Sequence, residues 1–287
     1  MQWFGGRESD NVEEGSSSGG GRGFAVGGGI VGLIGMVIYM FTGFNPAALL
    51  NGGQDSSGQQ QVSTHVAHAR TKQEKLAMMV FAGTEDVWDS LFRAQNKTYE
   101  KPVLHFFTGS VDAGCGFASS ATGPFYCPQD QKVYIDLSFY NELSDKFGAP
   151  GEFAQAYVIA HEVGHHVQNL LGVSQKVENA ESQAGSEAER NKYSVALELQ
   201  ADFYAGIWAH YENKYHQNGL VLNEADISSA LNAAKQIGDD HLQQETQGRV
   251  EPDSFTHGTS AQRMYWFKKG FDSGDLSEGN TFKEMGL

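Results

Sequence analysis

Residues 161–165 read His-Glu-Val-Gly-His, which is the pattern of a zinc-binding helix. His161 and His165 are four residues apart, so a helix projects both imidazoles from one face, about one turn apart. At that spacing, two ring nitrogens can bind one ion at about 2 Å each. Glu162 is rotated off this face, where it can accept a proton from a zinc-activated water without binding the metal. The pattern therefore predicts the active-site helix of a zinc peptidase.

The same five residues also arise by chance, and they would then belong to an exposed helix whose histidines are satisfied by solvent. The flanking sequence favours a buried helix, because it is apolar on both sides of the motif: Tyr157, Val158, Ile159, Ala160, Val163 and Val167. Burying two histidines and a glutamate without a partner is costly. Metal binding removes that cost and is the interpretation we favour.

A second segment, Glu198-Leu-Gln-Ala-Asp202, supplies the acidic groups that such a site needs. A catalytic zinc takes three protein ligands and keeps one position open for water, and two histidines with one glutamate are a known set. Glu198 is the predicted third ligand, and its apolar neighbours argue against an ordinary solvated helical glutamate. Asp202, one turn later, is placed to accept the other ring N–H of a ligating histidine. We therefore predict one zinc ion per chain.

The chain divides by composition into four parts. Residues 1–23 are polar and rich in Gly and Ser, which predicts a disordered tail. Residues 24–44 carry no charge and are long enough for a transmembrane helix. Residues 45–70 resemble a flexible linker, and residues 71–287 form the predicted folded domain. The apolar stretch could instead be a cleaved signal peptide or a buried core helix, but acidic residues precede it and no clear Ala-x-Ala site follows it.

Basic residues around the apolar stretch predict its orientation. Arg7 and Arg22 precede it, and no Lys or Arg follows until Arg70. The positive-inside rule then places the N-terminus in the cytoplasm and the domain outside, as a single-pass protein of the cytoplasmic membrane. The formal net charge of −15 repels phosphate backbones, which argues against nucleic-acid binding.

The chain contains two cysteines, Cys115 and Cys127, separated by a short run that is rich in Gly and Pro. In an exported domain this spacing predicts a disulfide that closes a small loop. The alternative is two separate buried thiols. Two cysteines cannot form a four-thiolate zinc site, and they do not form a Cys-x-x-Cys motif.

Periodicity and capping signals predict the elements that position these residues. The predicted helices cover 72–81, 85–95 with Thr84 as N-cap, 138–148, 152–171, 186–212, 224–237 and 260–271. The predicted strands cover 103–108, 115–120 and 132–137, and residues 173–185 are a predicted polar loop. A small sheet followed by mostly helices indicates an α+β fold.

Several segments together resemble the bacterial putative neutral zinc metallopeptidase family. They are His161-Glu-Val-Gly-His-His166, Glu198-Leu-Gln-Ala-Asp202, Ser254-Phe-Thr-His-Gly-Thr-Ser260 with Arg263, Cys115 to Cys127, and Arg7-Glu-Ser-Asp-Asn11 ahead of an apolar stretch. The resemblance covers nearly the whole chain. It implies a membrane-anchored, zincin-like peptidase domain in which His161, His165 and Glu198 bind zinc and Glu162 is catalytic.

The resemblance to zincins also suggests roles for later residues. His257 is the candidate donor to the developing oxyanion, with a capping or surface histidine as the alternative. Arg263 is a weaker candidate for orienting that loop or pairing with an acid near the site. The expected substrate is a peptide that adds to an exposed sheet edge, for which residues 116–120 are the candidate. His166 is expected to pack, and His65 with His68 to be solvated.

Two interpretations without peptide hydrolysis are kept. In one, zinc stabilises an envelope binding or scaffold module that does not turn over peptide. In the other, the domain is tethered to the membrane and binds no metal. The presence of Glu162 beside a complete ligand set favours the peptidase.

Overall fold

The structure is a computed structural model that describes residues 1–3, 5–15, 70–215 and 220–287. The predicted transmembrane helix at 24–44, the linker up to residue 69, and His65 and His68 all lie outside these ranges. Within the described ranges, no helix has both the length and the apolar character needed to cross a membrane.

Helices form most of the fold. They are α1 (Lys72–Ala94), α2 (Phe139–Asp145), α3 (Glu152–Leu170), α4 (Val173–Gln183), α5 (Glu187–Tyr215), α6 (Glu224–Gln236), α7 (Asp239–Gln247), α8 (Ser260–Ser273) and α9 (Thr281–Glu284). The long helices α3 and α5 are the two that carry the predicted metal ligands. Both are buried along most of their length, because each packs against several other elements.

The strands are β1 (Gln2–Trp3), β2 (Val12–Glu14), β3 (Val103–Phe107), β4 (Ser110–Ala113), β5 (Gly116–Ser119), β6 (Phe125–Cys127), β7 (Lys132–Asp136) and β8 (Leu220–Val221). One sheet has the order β2-β3-β7-β6, in which β6 alone is antiparallel to its neighbour. β4 pairs with β5, and β1 pairs with β8, in separate two-stranded sheets. The mixture of a small sheet with mostly helical structure confirms the predicted α+β fold.

Helix α1 is continuous, whereas the sequence predicts two helices separated at Gly83 and Thr84. Its N-cap is Thr71, which forms a capping box with Glu74. The Thr84 hydroxyl donates to the carbonyl of Phe81, 2.6 Å away, so Thr84 lies inside the helix and the predicted N-cap is wrong. Gly83 lets the Glu212 side chain pack against α1, because a Cβ there would lie 2.4 Å from Oε1 of Glu212.

The predicted loop at 173–185 is also wrong, since α4 occupies most of it. This helix is polar, and Val177 is its one fully buried residue. It is held against α5 by specific contacts such as the hydrogen bond from the Ser194 hydroxyl to Oε1 of Glu181, 2.7 Å. A helix stabilised mainly by its neighbour leaves little hydrophobic periodicity in the sequence.

The N-terminal segment is ordered where the structure describes it, and the predicted disorder is wrong for residues 1–3 and 5–15. Strand β1 pairs with β8, and strand β2 extends the main sheet beside β3. The folded unit therefore includes this segment as well as residues 70–215 and 220–287. We call residues 1–15 the N-terminal arm, of which Phe4 lies outside the described residues.

The candidate substrate edge at 116–120 lies in the β4–β5 hairpin and not in the main sheet. The edge of the main sheet nearest to α3 is β6, and the Tyr126 hydroxyl on it lies 3.0 Å from Nδ1 of His166 on α3. Cys115 and Cys127 form a disulfide that joins the hairpin to the end of β6, which confirms the predicted bridge. The bridge ties this edge strand to the hairpin beside it.

Helices α5 and α8 pack with their backbones in contact. A Cβ added to Gly206 would lie 2.1 Å from the carbonyl oxygen of Phe267, and one added to Gly270 would lie 2.2 Å from the carbonyl oxygen of Phe203. Two glycines facing each other allow this approach. The contact matters for the site, because it sets the position of α8 relative to the acidic residues on α5.

We expect Gly206→Ala to lower the free energy of unfolding by about 3 kcal/mol or more, because the new methyl group meets backbone that cannot rotate away. Chemical denaturation measures the change. Gly185→Ala is the control, since a Cβ at Gly185 meets only Oε2 of Glu189 at an ordinary 3.5 Å. Equal stability of the two variants would contradict the tight helix contact.

Candidate metal centre

Helix α3 presents both predicted histidine ligands on one face. The imidazole centroids of His161 and His165 are 4.8 Å apart. The helix lies directly against α5 because Gly164 has no side chain: a Cβ there would be 3.0 Å from the carbonyl oxygen of Ala201. This close approach brings Glu198 of α5 over the two imidazoles.

The three predicted ligands converge. Nε2 of His161 lies 3.2 Å from Oε2 of Glu198, and Nε2 of His165 lies 3.3 Å from Oε1. One ligand atom from each residue lies within 4.8 Å of the others, so the group could hold a metal ion. Two ligands of a tetrahedral zinc, each about 2.0–2.1 Å from the ion, are about 3.3–3.4 Å apart. The residues present therefore fit zinc.

Both imidazoles are oriented by hydrogen bonds on the side away from Glu198. Nδ1 of His161 lies 2.9 Å from Oδ1 of Asp202, as the sequence predicts. Nδ1 of His165 lies 2.9 Å from Oε1 of Gln168, whose amide nitrogen donates to the carbonyl of Leu197 at 2.7 Å. When each Nδ1 carries the proton, each Nε2 keeps its lone pair for a metal.

The charges around the triad favour a cation at its centre. Burial lowers the pKa of His161, but the carboxylates of Asp202 and Glu198 outweigh it and raise the pKa to about 10. Burial raises the pKa of Glu198, yet the two imidazoles dominate and hold it well below its usual value. Without metal, these side chains bind protons where zinc would bind, so the site is built to hold positive charge.

Asp202 belongs to a buried ion pair behind the site. Arg263 on α8 donates from Nε to Oδ2 at 2.8 Å and from Nη2 to Oδ1 at 3.0 Å. The Tyr157 hydroxyl also donates to Oδ1, and Nη1 of Arg263 donates to the carbonyl of Ile237 at 3.3 Å. Burial raises the pKa of Asp202, but Arg263 and His161 lower it to about 2. The carboxylate that orients His161 is therefore ionised at neutral pH.

Glu162 is almost fully buried beside the ligands, at 1 % exposure. Burial raises its pKa, and the imidazoles of His161 and His165 oppose that shift. The backbone of Tyr126 on β6 makes a smaller contribution that also opposes the shift. Among the residues that the structure describes, none hydrogen-bonds to Oε1, so this oxygen is available for a proton.

His257 is also buried, at 2 % exposure, and Asp239 holds its loop. One carboxylate oxygen of Asp239 accepts the backbone N–H groups of Thr256, His257 and Gly258 at 2.6–2.9 Å, and the other lies 3.2 Å from Nδ1 of the His257 ring. Within the described chain, Nε2 of His257 has no hydrogen-bond partner. This polar atom is therefore free to meet a ligand.

Glu162 and His257 line one cavity, together with His161, Arg263 and apolar side chains. The apolar part consists of Phe139, Phe147, Tyr157, Val158, Ile237 and Leu242. The cavity volume is about 40 Å³, which is enough for water. The His165 side chain is 16 % exposed, compared with 4 % for His161, so the site opens to solvent on the His165 side.

The structure brings together the predicted ligand triad and the predicted site residues Glu162, Asp202 and His257. The sequence-based prediction missed Gln168 and Asp239. Gln168 lies three residues after His165 on the same helix, so helical spacing could have indicated it. Asp239 carries no such signal, because its contact with His257 depends on the packing of α7. His166 packs as expected, with Nε2 2.6 Å from the carbonyl of Glu100.

Comparison with known proteins identifies a family. Residues 1–282 match the family described as "Putative neutral zinc metallopeptidase". The uncharacterized protein YpfJ of Escherichia coli K12 is 50% identical over 289 residues, covering 98% of this chain and 99% of its own. The uncharacterized protein Rv2575 of Mycobacterium tuberculosis H37Rv is 44% identical over 207 residues, covering 69% of this chain and 68% of its own. No solved structure matches the chain. The motif helix α3 and helix α5 together form a zinc-compatible triad, and the family match covers nearly the whole chain, so the chain belongs to the family described as "Putative neutral zinc metallopeptidase".

Proposed function

We propose that this protein is a membrane-attached zinc peptidase that hydrolyses peptide bonds, with Glu162 as general base. The observation that carries the proposal is the position of the Glu162 carboxyl group, which is buried in a cavity that His161 of the zinc-compatible triad also lines, with Oε1 unpartnered among the described residues. Most buried side-chain oxygens are hydrogen-bonded, so an unpartnered carboxylate oxygen beside the metal ligands supports a chemical role. The family match supports the same reaction class.

Zinc, when bound by His161, His165 and Glu198, lowers the pKa of a water molecule and polarises the substrate carbonyl. Glu162 takes a proton from the attacking water at Oε1 and passes it to the leaving amine nitrogen. Its buried surroundings help the second transfer, because they stabilise the neutral acid that must exist between the two steps.

His257 is the proposed donor to the developing oxyanion. Nδ1 lies 3.0 Å from the Thr256 hydroxyl and 3.2 Å from Oδ1 of Asp239, and Nε2, when it carries a proton, can donate it in the cavity. Asp239 fixes the loop by accepting three backbone N–H groups, so the ring is positioned before substrate binds.

The apolar lining of the cavity supports a preference for an apolar substrate side chain next to the cleaved bond. Attachment to the membrane through residues 24–44 rests on the uncharged sequence there. The Cys115–Cys127 disulfide supports placement of the domain outside the cytoplasm, because such bridges persist in oxidising compartments.

We expect Glu162→Gln to reduce cleavage of an unfolded protein substrate at least a hundredfold while zinc content stays unchanged, because the amide cannot accept the proton. Zinc quantification and a cleavage assay on the full chain measure both properties. Glu142→Gln, on α2, is the matched control and should keep full activity.

Undiminished cleavage by Glu162→Gln would contradict the proposed role of Glu162 as general base. If the wild-type protein binds zinc but cleaves no member of a diverse peptide library, the non-catalytic scaffold interpretation is correct. If it binds no zinc, the proposal fails at its first step. A library profile also shows whether apolar residues are favoured beside the cleaved bond.

A further inference from the structure

The N-terminal arm neutralises a buried carboxylate in the domain. The Glu85 side chain on α1 is fully buried. Its oxygens accept from Nη2 of Arg7 at 2.9 Å, the Ser9 hydroxyl at 2.6 Å and the Asn11 amide at 2.8 Å, with Lys101 at 3.2 Å as the partner from outside the arm. A buried carboxylate that loses its partners is costly. The domain therefore needs the arm to satisfy Glu85.

Backbone pairing makes the arm an integral part of the fold. Residues 12–14 pair in register with Leu104, His105 and Phe106 of β3. The flanking bonds run from the amide of Leu104 to the carbonyl of Asn11 at 2.9 Å, and from the amide of Gly15 to the carbonyl of Phe106 at 2.8 Å. The arm thus occupies the edge of the main sheet.

The arm also reaches the helix that carries the metal ligands. Nε1 of Trp3 donates to Oε2 of Glu152, in the first turn of α3, at 3.0 Å. The amide of Ser9 donates to the carbonyl of Met78 on α1 at 3.1 Å. The arm therefore contacts the helices α1 and α3, the main sheet and β8, and it is firmly packed against the domain.

The two ends of the segment between the arm and the domain lie side by side. Oε1 of Glu14 lies 3.5 Å from Nη1 of Arg70. A single membrane crossing carries a chain about 30 Å to the opposite side of the hydrocarbon core. Residues 45–69 contain no second apolar stretch of about 20 residues that could bring the chain back. A single pass through residues 24–44 would therefore separate the arm from the sheet it completes.

We propose that residues 1–15 and 70–287 form one folded unit on a single face of the membrane. This replaces the single-pass orientation predicted from Arg7 and Arg22. Arg7 forms ion pairs with Glu85 and Asp86 of the domain, so it is part of the folded unit. The proposal rests on the proposed membrane attachment and is independent of peptidase activity.

Thiol labelling in intact spheroplasts tests the proposal on the full chain. Asp10→Cys and Asp272→Cys each add one exposed thiol, on the arm and on α8, while the native cysteines are joined to each other. A membrane-impermeant maleimide is expected to label both variants to the same extent. Labelling of Asp272→Cys in spheroplasts, with labelling of Asp10→Cys only after detergent lysis, overturns the proposal.

The remaining outcomes are equally decisive. If both thiols require lysis, the single-face arrangement holds and the exported location of the domain is wrong. If the protein fractionates with soluble proteins, membrane attachment fails, and this proposal fails with it. Peptidase activity measured on the same samples reports separately on the proposed function.

Cross-linking tests the contact between the two ends directly. The double variant Glu14→Cys/Arg70→Cys, with a protease site inserted at 51–61, is treated with a short bifunctional maleimide in native membranes and then cleaved. We expect the N-terminal fragment to remain attached to the domain in the double variant and to be released in either single variant. Release from the double variant would show that the arm is not docked in the membrane-bound protein.

Discussion

Replacing Glu198 with Ala should reduce zinc content from about one ion per chain to almost none, because a zinc site of this type needs three protein ligands. His161 and His165 remain in place in this variant, yet two imidazoles hold the ion far more weakly than the full set. Elemental analysis after dialysis against trace zinc measures the loss. Glu187→Ala, an exposed position at the start of the same helix, is the control and should retain zinc.

Replacing the residues that hydrogen-bond to the ligands should weaken zinc binding less than removing a ligand does. Asp202→Asn and Gln168→Ala remove the hydrogen bonds that orient His161 and His165, and we expect zinc affinity to fall about 10–100-fold in each. If Glu198→Ala binds zinc as tightly as the wild type, while these variants lose it, the ion is held by a different set of atoms.

Zinc removal should also affect stability. A ligand that binds only the folded state stabilises it by about 2.7 kcal/mol when its free concentration is about 100 times its Kd. A chelator is therefore expected to lower the Tm of the wild type and of Glu187→Ala but to leave that of Glu198→Ala unchanged. A chelator response in Glu198→Ala would show that residual metal is still bound.

The metal centre could be predicted because its residues lie close together along the sequence within each helix. His161, Glu162 and His165 lie within two turns of one helix, and Glu198 with Asp202 within two turns of another, so helical spacing alone defines which side chains share a face. Both helices are also strongly apolar around these residues. No local sequence pattern predicts that α5 crosses α3 at Gly164. This crossing brings the residues of the two helices together.

The N-terminal arm could not be predicted in the same way. Its strands are two and three residues long, and the segment is polar, which resembles a disordered tail. The reason for its order is Glu85, more than 70 positions later, whose buried charge requires Arg7, Ser9 and Asn11. A polar segment that satisfies a distant buried acid carries no hydrophobic pattern of its own.

Replacing Arg263 with Met should lower the free energy of unfolding by about 3–5 kcal/mol, because it leaves the buried Asp202 carboxylate without its cationic partner. The loss should be larger than for Lys268→Met on the exposed face of the same helix, where the ion pair with Asp272 is solvated. Denaturation of the metal-free proteins gives the difference without a contribution from zinc.

A double-mutant cycle separates the ion pair from general packing. In Arg263→Met/Asp202→Asn the buried charge is removed with its partner, so we expect the double variant to be less destabilised than the sum of the single variants. Zinc affinity supplies the second measurement. Arg263→Met should weaken zinc binding, because an Asp202 carboxylate freed from the fork of Arg263 no longer holds the His161 ring in one orientation. Additive stability changes together with unaltered zinc affinity would show that Arg263 packs against the site without orienting it.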